Sequence, residues 1–425
     1  MALQTPPPVL TSRALNRATL DRQLLLDRAP LSAEEAVRHL VGLQAQNTKP
    51  PYYALAARLD GFRPEDLSAV MESRRVGRMV SLRSTVHTHT AGDGLPLRLL
   101  VQSGAVDREL RMFRKGLDGV DLERLVALTV AYVEERARTP KEIREHLLLE
   151  WPEGDPQALT IAARCLVPMV QVTPRGLWGR SGQVALTTAR KWFGGYDGAA
   201  GTAEALTGGG AAGERAGVGE NGEGAGSGSS GRSGGRGEGV DRGAGRELDG
   251  TGAAGLDATV LRYLRAFGPA SVQDMQTWCG LTRLRPAFER LRPELLVFRD
   301  ESGTELFDLP DAPRPDEDTP APPRFLPEFD NLLLSHADRT RVVPAEHRAR
   351  TWTGNQAHRV FLLDGLLAGL WRLDEGRERT VMTIEAFARP TRAQRAALTA
   401  EAERTLRLLG PQGIPYDIVL GELDE

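Results

Sequence analysis

Gln44 and Gln46, in the run Gly42-Leu43-Gln44-Ala45-Gln46-Asn47, form the most unusual polar cluster of the chain. The run follows an amphipathic helix whose apolar face includes Ala36, Leu40 and Leu43. If the backbone extends beyond that helix, the two amides flanking Ala45 face one cleft, because alternate residues of an extended chain share a side. Otherwise they are surface or capping groups, which is the usual fate of glutamine. His87 and His89 are two apart on an alternating segment, so their rings also face one side. That spacing suits a metal, but no convincing third and fourth ligand exists, and Cys-x-x-Cys and His-Glu-x-x-His are absent. Solvated or phosphate-contacting histidines are the expectation. In the run Phe325-Leu326-Pro327-Glu328-Phe329-Asp330-Asn331, polar groups sit among apolar ones. Either Asp330 and Asn331 bond the backbone of a buried turn, or Asp330 is a catalytic carboxylate. Arg13, Arg17, Arg74, Arg75, Arg78 and Arg83 are candidates for phosphate contact. Phosphate-loop, dinucleotide and nucleophile-elbow signatures are all missing, which argues against ATP, NAD and serine-hydrolase chemistry. No cofactor and no metal are expected.

The elements that must position these residues repeat one pattern, short helices followed by a β-hairpin. Residues 256–267 are amphipathic, Gly268-Pro269 stops them, Ser271 caps a second helix, and Gly280 turns into a third at 281–291. Strands at 294–299 and 305–309 flank the turn Asp300-Glu301-Ser302-Gly303. Three helices and a wing make the winged-helix plan, a relative of helix-turn-helix. A middle copy has helices at 121–138, 139–149 and 156–167 and strands at 169–173 and 184–187. The first has helices at 12–27, 32–43, 51–59 and 64–73 and strands at 79–83 and 85–90. Beyond Pro323 the texture changes. A hairpin at 360–373 turns on Asp364-Gly365, and a strand at 379–387, a helix at 391–409 and a last strand at 416–420 follow. The expected fold is α+β, with three tandem winged-helix units and a small C-terminal β-barrel in a concave overall shape. Its divisions are 11–118, 119–196, a disordered Gly-rich linker at 197–255, 256–310, and a barrel-like domain with one helix at 311–425.

Bulk properties narrow the function classes. The chain has 425 residues, enough for several cores, and 40% apolar residues, a fraction diluted by the Gly-rich stretch. Its two cysteines show no ligand spacing, no secretory leader pattern opens the sequence, and no run of about 18 apolar residues occurs. A soluble, cytoplasmic, monomeric protein is expected. The net charge of −3 argues at first against nucleic acid, but residues 12–118 carry 17 Lys and Arg against 12 Asp and Glu. A locally basic face on a near-neutral protein is compatible with DNA.

Five separated stretches carry a family resemblance: LVGLQAQNTKPPYYALAARL, RSTVHTHTAGD, ATVLRYLRAFGPASVQDMQTWCGLTRL, PRFLPEFDNLLLSHADR and VFLLDGLLAGLWRL. Together they resemble the winged-helix DNA glycosylases typified by the azinomycin-resistance enzymes that unhook interstrand crosslinks, the AlkZ-like, Gln-x-Gln branch. The resemblance runs from about residue 11 to 420 and is interrupted by the Gly-rich insert. It implies three winged-helix units around a small barrel, and a catalytic Gln-x-Gln falling on Gln44 and Gln46. A second branch carries Gln-x-Asp, and Gln46 stands where that carboxylate would be. Asn47, Asp330, Asn331, His87 and His89 are then candidates to support the site. The implied partner is double-stranded DNA carrying alkylated bases or crosslinks, and the implied activity is hydrolysis of the N-glycosidic bond of N7-alkylated purines. Two other readings keep the same elements: a non-enzymatic winged-helix regulator and a drug-sequestration protein. Only a glycosylase would leave abasic sites.

Overall fold

The computed structural model describes residues 6–194, 250–354, 356–411 and 413–422, with side chains from 253 in the second stretch. Most helices begin where local chemistry says they should. The Thr11 hydroxyl caps helix Ser12–Arg22 by accepting from the Ala14 amide at 3.0 Å. Reciprocal boxes open Ala33–His39 (Ser32 with Glu35), Pro140–Glu150 (Thr139 with Glu142) and Val272–Cys279 (Ser271 with Asp274). The ends differ more. The first helix stops at Arg22 and not at 27, since Leu24 takes a left-handed φ of 56°. The second stops at His39, because Val41 and Gly42 both have positive φ, and Leu43–Gln44 is a short strand. Arg285–Leu291 is shorter than the expected 281–291, as Gly280 ends the preceding helix in αL and Arg283 is also left-handed.

The largest departure concerns the hairpins of the first two units. Leu43–Gln44, Val86–Thr90, Val76–Val80, Met169–Gln171 and Leu186–Thr188 lie in that order in one antiparallel sheet. This sheet crosses the expected division at 118/119. Between its halves run helix Ala91–Leu100, a single wide turn Gln102–Val106 and helix Asp107–Met112, none of them anticipated. Gly92, Gly94 and Pro96 read as chain breakers, although Pro96 is accommodated inside the helix.

The third unit has helices Gly250–Phe267, Val272–Cys279 and Arg285–Leu291, then the hairpin Leu296–Asp300 and Glu305–Asp308. Its first helix takes in residues 250–255, which the sequence assigned to the linker. Ala253 and Ala254 continue the helical pattern of the following residues. The remainder of that expected linker, from 197 to 249, lies outside the described residues. Val9–Leu10 pairs parallel to Leu296–Asp300, and a fully buried pair of Arg22 with Asp308, at 2.6 and 2.9 Å, ties the first helix to this unit.

At the C-terminal end the order is Tyr416–Glu422, Thr380–Ala386, Leu366–Glu375, Val360–Leu363 and Arg324–Leu326. The hairpin turns on Asp364 and Gly365, both at positive φ as expected, and a Cβ on Gly365 would lie 2.5 Å from Asn16 Oδ1. Helix Arg392–Leu409 buries Leu398, Ala402, Leu406 and Leu409 in a core shared with Tyr52, Tyr53, Met382 and Ile384. Among the described residues this sheet is open, and closure into the expected barrel is not found. Its last strand adds parallel on the side away from Arg324–Leu326, which is covered by helices Pro50–Arg58 and Arg392–Leu409. No helix among the described residues is long and apolar enough to cross a membrane.

Candidate active site

The chain is extended through the paired glutamines. Gln44 lies opposite His87, and the Ala45 N–H donates to the Val86 carbonyl at 2.8 Å. Gln44 is 7% exposed and Ala45 fully buried, while Gln46 and Asn47 are exposed. Gln44 Oε1 accepts from Arg83 Nη2 at 2.8 Å, and Gln46 Oε1 accepts from the Val86 N–H at 3.2 Å. Both partners can only donate, so each carboxamide is held with its oxygen towards them. Each oxygen keeps a second lone pair.

Three contacts anchor the segment from below. Arg78 donates to the Ala45 carbonyl at 2.7 Å, and Asn331 Nδ2 donates to the carbonyls of Gly42 and Leu40 at 2.7 and 3.3 Å. Gly42 has φ of 97°, and a Cβ there would lie 2.3 Å from the His89 ring. Gly42→Ala is therefore expected to destabilise the fold by about 1–3 kcal/mol through overpacking and backbone strain, and to slow any chemistry at Gln44. Thermal melting checks this, and an unchanged melting temperature would refute the close packing.

The histidines correct their expectation. His87 and His89 are 1% and 0% exposed, so neither is solvated nor placed to touch phosphate. Their rings stack 5.7 Å apart. His87 Nδ1 lies 3.1 Å from the Thr85 carbonyl, and His89 Nε2 lies 2.7 Å from Ser81 Oγ. Burial pushes His89 down to about 4 and His87 well below its ordinary value, the latter helped by the Arg83 charge. Both are neutral packing groups at physiological pH. Among the described residues no cluster of three His, Cys, Asp or Glu is placed to hold a metal.

The arginines divide. Arg17 and Arg78 are each 1% exposed and are removed from the phosphate-contact set. Arg17 is consumed by the Thr319 and Asp364 carbonyls, Asn16 Oδ1 and the Asp364 carboxylate. Arg83 turns inward to Gln44 and to the Trp278 carbonyl. Arg13 is half-exposed but engaged by Asp364 and the Glu317 carbonyl. Arg74 and Arg75 are exposed, the first over the Trp192 ring at 4.9 Å and the second paired with Glu34 at 2.6 Å.

Asp330 is also corrected as a catalytic candidate. Its two oxygens accept from Arg58 at 2.7 and 2.9 Å in a fully buried ion pair, and it caps the short helix Asn331–Leu334. Glu328, passed over in the sequence, is the carboxylate next to the motif. It accepts from Asn47 Nδ2 at 3.1 Å and from Arg359 Nε at 2.9 Å. Arg359 in turn lies 5.0 and 5.1 Å over the rings of Tyr53 and Trp371. The available signal was a carboxylate in an apolar run, but the same run offered Asp330 equally.

The sequence profile described as DNA glycosylase AlkZ-like matches residues 37–408. Among solved structures, the DNA glycosylase AlkZ of Streptomyces sahachiroi is similar with a TM-score of 0.68, covering 97% of this chain and 100% of that one. The two sequences are 18% identical, so the likeness is one of fold. No curated protein sequence matches.

Proposed function

The chain belongs to the AlkZ-like DNA glycosylase family, and from that premise we propose that it hydrolyses the N-glycosidic bond of N7-alkylated purines in double-stranded DNA and unhooks interstrand crosslinks, with Gln44 and Gln46 as catalytic residues. The observation that carries this reading is the Gln44-Ala45-Gln46 segment itself. It is extended, pinned from below, and its two amide oxygens are fixed by obligate donors.

Alkylation at N7 makes the purine cationic, so the electrons of the breaking C1′–N9 bond neutralise the departing base. The sugar becomes oxocarbenium-like, water adds to C1′, and its proton passes to solvent. A leaving group that departs neutral needs no proton transferred to it. Glutamine is not a competent general base, but the remaining lone pair of the Gln46 oxygen holds a water and opposes positive charge on the sugar. Positioning and preorganised dipoles supply rate without proton transfer by the protein. Lys49, the lysine nearest the motif, is paired with Glu375 at 2.7 Å and lies 5.9 Å from the Trp178 ring centroid. With its amine held by Glu375, Lys49 is engaged elsewhere than as a Schiff-base nucleophile, which supports monofunctional hydrolysis without strand cleavage.

The helix-and-hairpin groups are read as three winged-helix units holding the duplex in a concave arrangement, with exposed Arg74 and Arg75 as phosphate contacts. A crosslink cannot be flipped out of both strands, so the site would work on a lesion still in or near the duplex. The protein would act as a monomer in the cytoplasm and protect against DNA-alkylating genotoxins. The test is incubation with duplexes carrying 7-methylguanine or a defined crosslink, reading released base and alkali-labile sites. Release from both is expected. Tight binding with no release would instead establish the regulator or sequestration reading.

A further inference from the structure

We propose that Arg83 is a positioning residue that locks Gln44 with its carboxamide nitrogen towards the lesion, making Gln44 a hydrogen-bond donor to the departing base. This rests on the assignment of Gln44 to the catalytic site. The guanidinium spans two units of the fold. Nη2 donates to Gln44 Oε1 at 2.8 Å, and Nη1 donates to the Trp278 carbonyl in the last turn of helix Val272–Cys279. A cation at a helix C-terminus is well placed, because unpaired carbonyls and the helix dipole both favour it. Burial lowers the Arg83 pKa only to about 10, so the charge persists at neutral pH.

The backbone that aims this side chain is itself constrained. Arg83 and Ser84 are consecutive left-handed residues, with φ of 54° and 59°, an arrangement that persists only when its surroundings hold it. Here the surroundings do. Ser84 Oγ donates to Glu109 at 2.5 Å, Glu109 is paired with Arg164 of the second unit, and Ser81 Oγ lies 2.7 Å from His89. A Cβ on Gly280 would lie 3.6 Å from the Arg83 Cα. The turn at 82–85 is thus where the first three helical units converge.

An arginine has no acceptor, so the Gln44 oxygen must face it and the nitrogen must face away. Among the described residues Gln44 Nε2 has no protein partner, and it is not one of the fully buried unpaired nitrogens. A donor is the useful end to present. As the glycosidic electrons flow onto the purine, its ring and exocyclic acceptors become more basic, and a hydrogen bond to them strengthens in the transition state. The Arg83 charge polarises the amide in the same direction.

The experiment is single-turnover excision from 7-methylguanine duplex, with duplex affinity measured in parallel. Gln44→Glu keeps an acceptor for Arg83 but removes the donor. It is expected to be as slow as Gln44→Ala, about 10²-fold below wild type, with duplex affinity within about threefold. Arg83→Met is expected to lose a similar factor in rate, and the double variant Arg83→Met/Gln44→Ala to be no slower than Gln44→Ala alone. Wild-type rates in Gln44→Glu, or additive losses in the double variant, would overturn the proposal. Should Gln44→Ala itself excise at the wild-type rate, the catalytic assignment fails, a result distinct from failure of the Arg83 role alone. Gln44→Glu does not remove the Trp278 contact, so the test survives if Arg83→Met fails to fold.

Discussion

Replacing either Gln44 or Gln46 with alanine is expected to slow single-turnover base release by about 10²–10³-fold while the protein still folds and binds duplex. The two positions differ in what each substitution leaves behind. Gln46 is exposed, and its loss frees only the Val86 N–H, which water can satisfy. Gln46→Ala should therefore melt like wild type. Gln44 is nearly buried, and its loss leaves one face of the Arg83 guanidinium without an acceptor, although the Trp278 carbonyl remains. A modest fall in melting temperature should accompany that variant alone. Since both amides act on one transition state, the double alanine variant should be far from additive. Gln46→Glu approximates the Gln-x-Asp branch, and it is expected to retain some 7-methylguanine release while crosslink unhooking drops. Near-wild-type release in both alanine variants would sink the mechanism. The next residue to test would then be Glu328, whose carboxylate adjoins Asn47, and not Asp330.

Asp330→Ala should show the opposite profile, a loss of about 3–5 kcal/mol in stability by chemical denaturation, with excision per folded molecule much less affected than in Gln44→Ala. Removing the carboxylate strands the Arg58 guanidinium in a site with no solvent access, left with the Ala54 carbonyl at 3.1 Å and Gln23 Oε1 at 3.3 Å. It also uncaps Asn331–Leu334, and Asn331 holds the Gly42 carbonyl, so some excision is lost through misplacement of the motif. If Asp330→Ala instead kept its stability and lost excision outright, Asp330 would be catalytic after all.

What the sequence determined by itself was local or recurrent. The helix starts at Ser32, Thr139 and Ser271, the αL stop at Gly280 and the turn at Asp364-Gly365 formed where expected, since each depends on residues within one or two turns of chain. The Gln44-Ala45-Gln46 motif and its family were legible for a related reason: several short runs in a fixed order carry the resemblance, however the chain packs. Tertiary structure decided the rest. Met169–Gln171 joined the sheet of Val76–Val80 from about 90 residues away, and no local signal reports such a pairing. Arginines that look solvated in sequence became buried where distant acceptors met them, Thr319 and Asp364 at Arg17, and Gln44 with the Trp278 carbonyl at Arg83. His87 and His89 share a face as their spacing required, but whether that face meets water or protein depends on what packs over it, here Gly42, Ser81 and Thr85. Periodicity assigns a side chain to a face, whereas burial and hydrogen-bond partners are set by segments remote in sequence, and those partners distinguish a solvated arginine from one that holds the Gln44 amide.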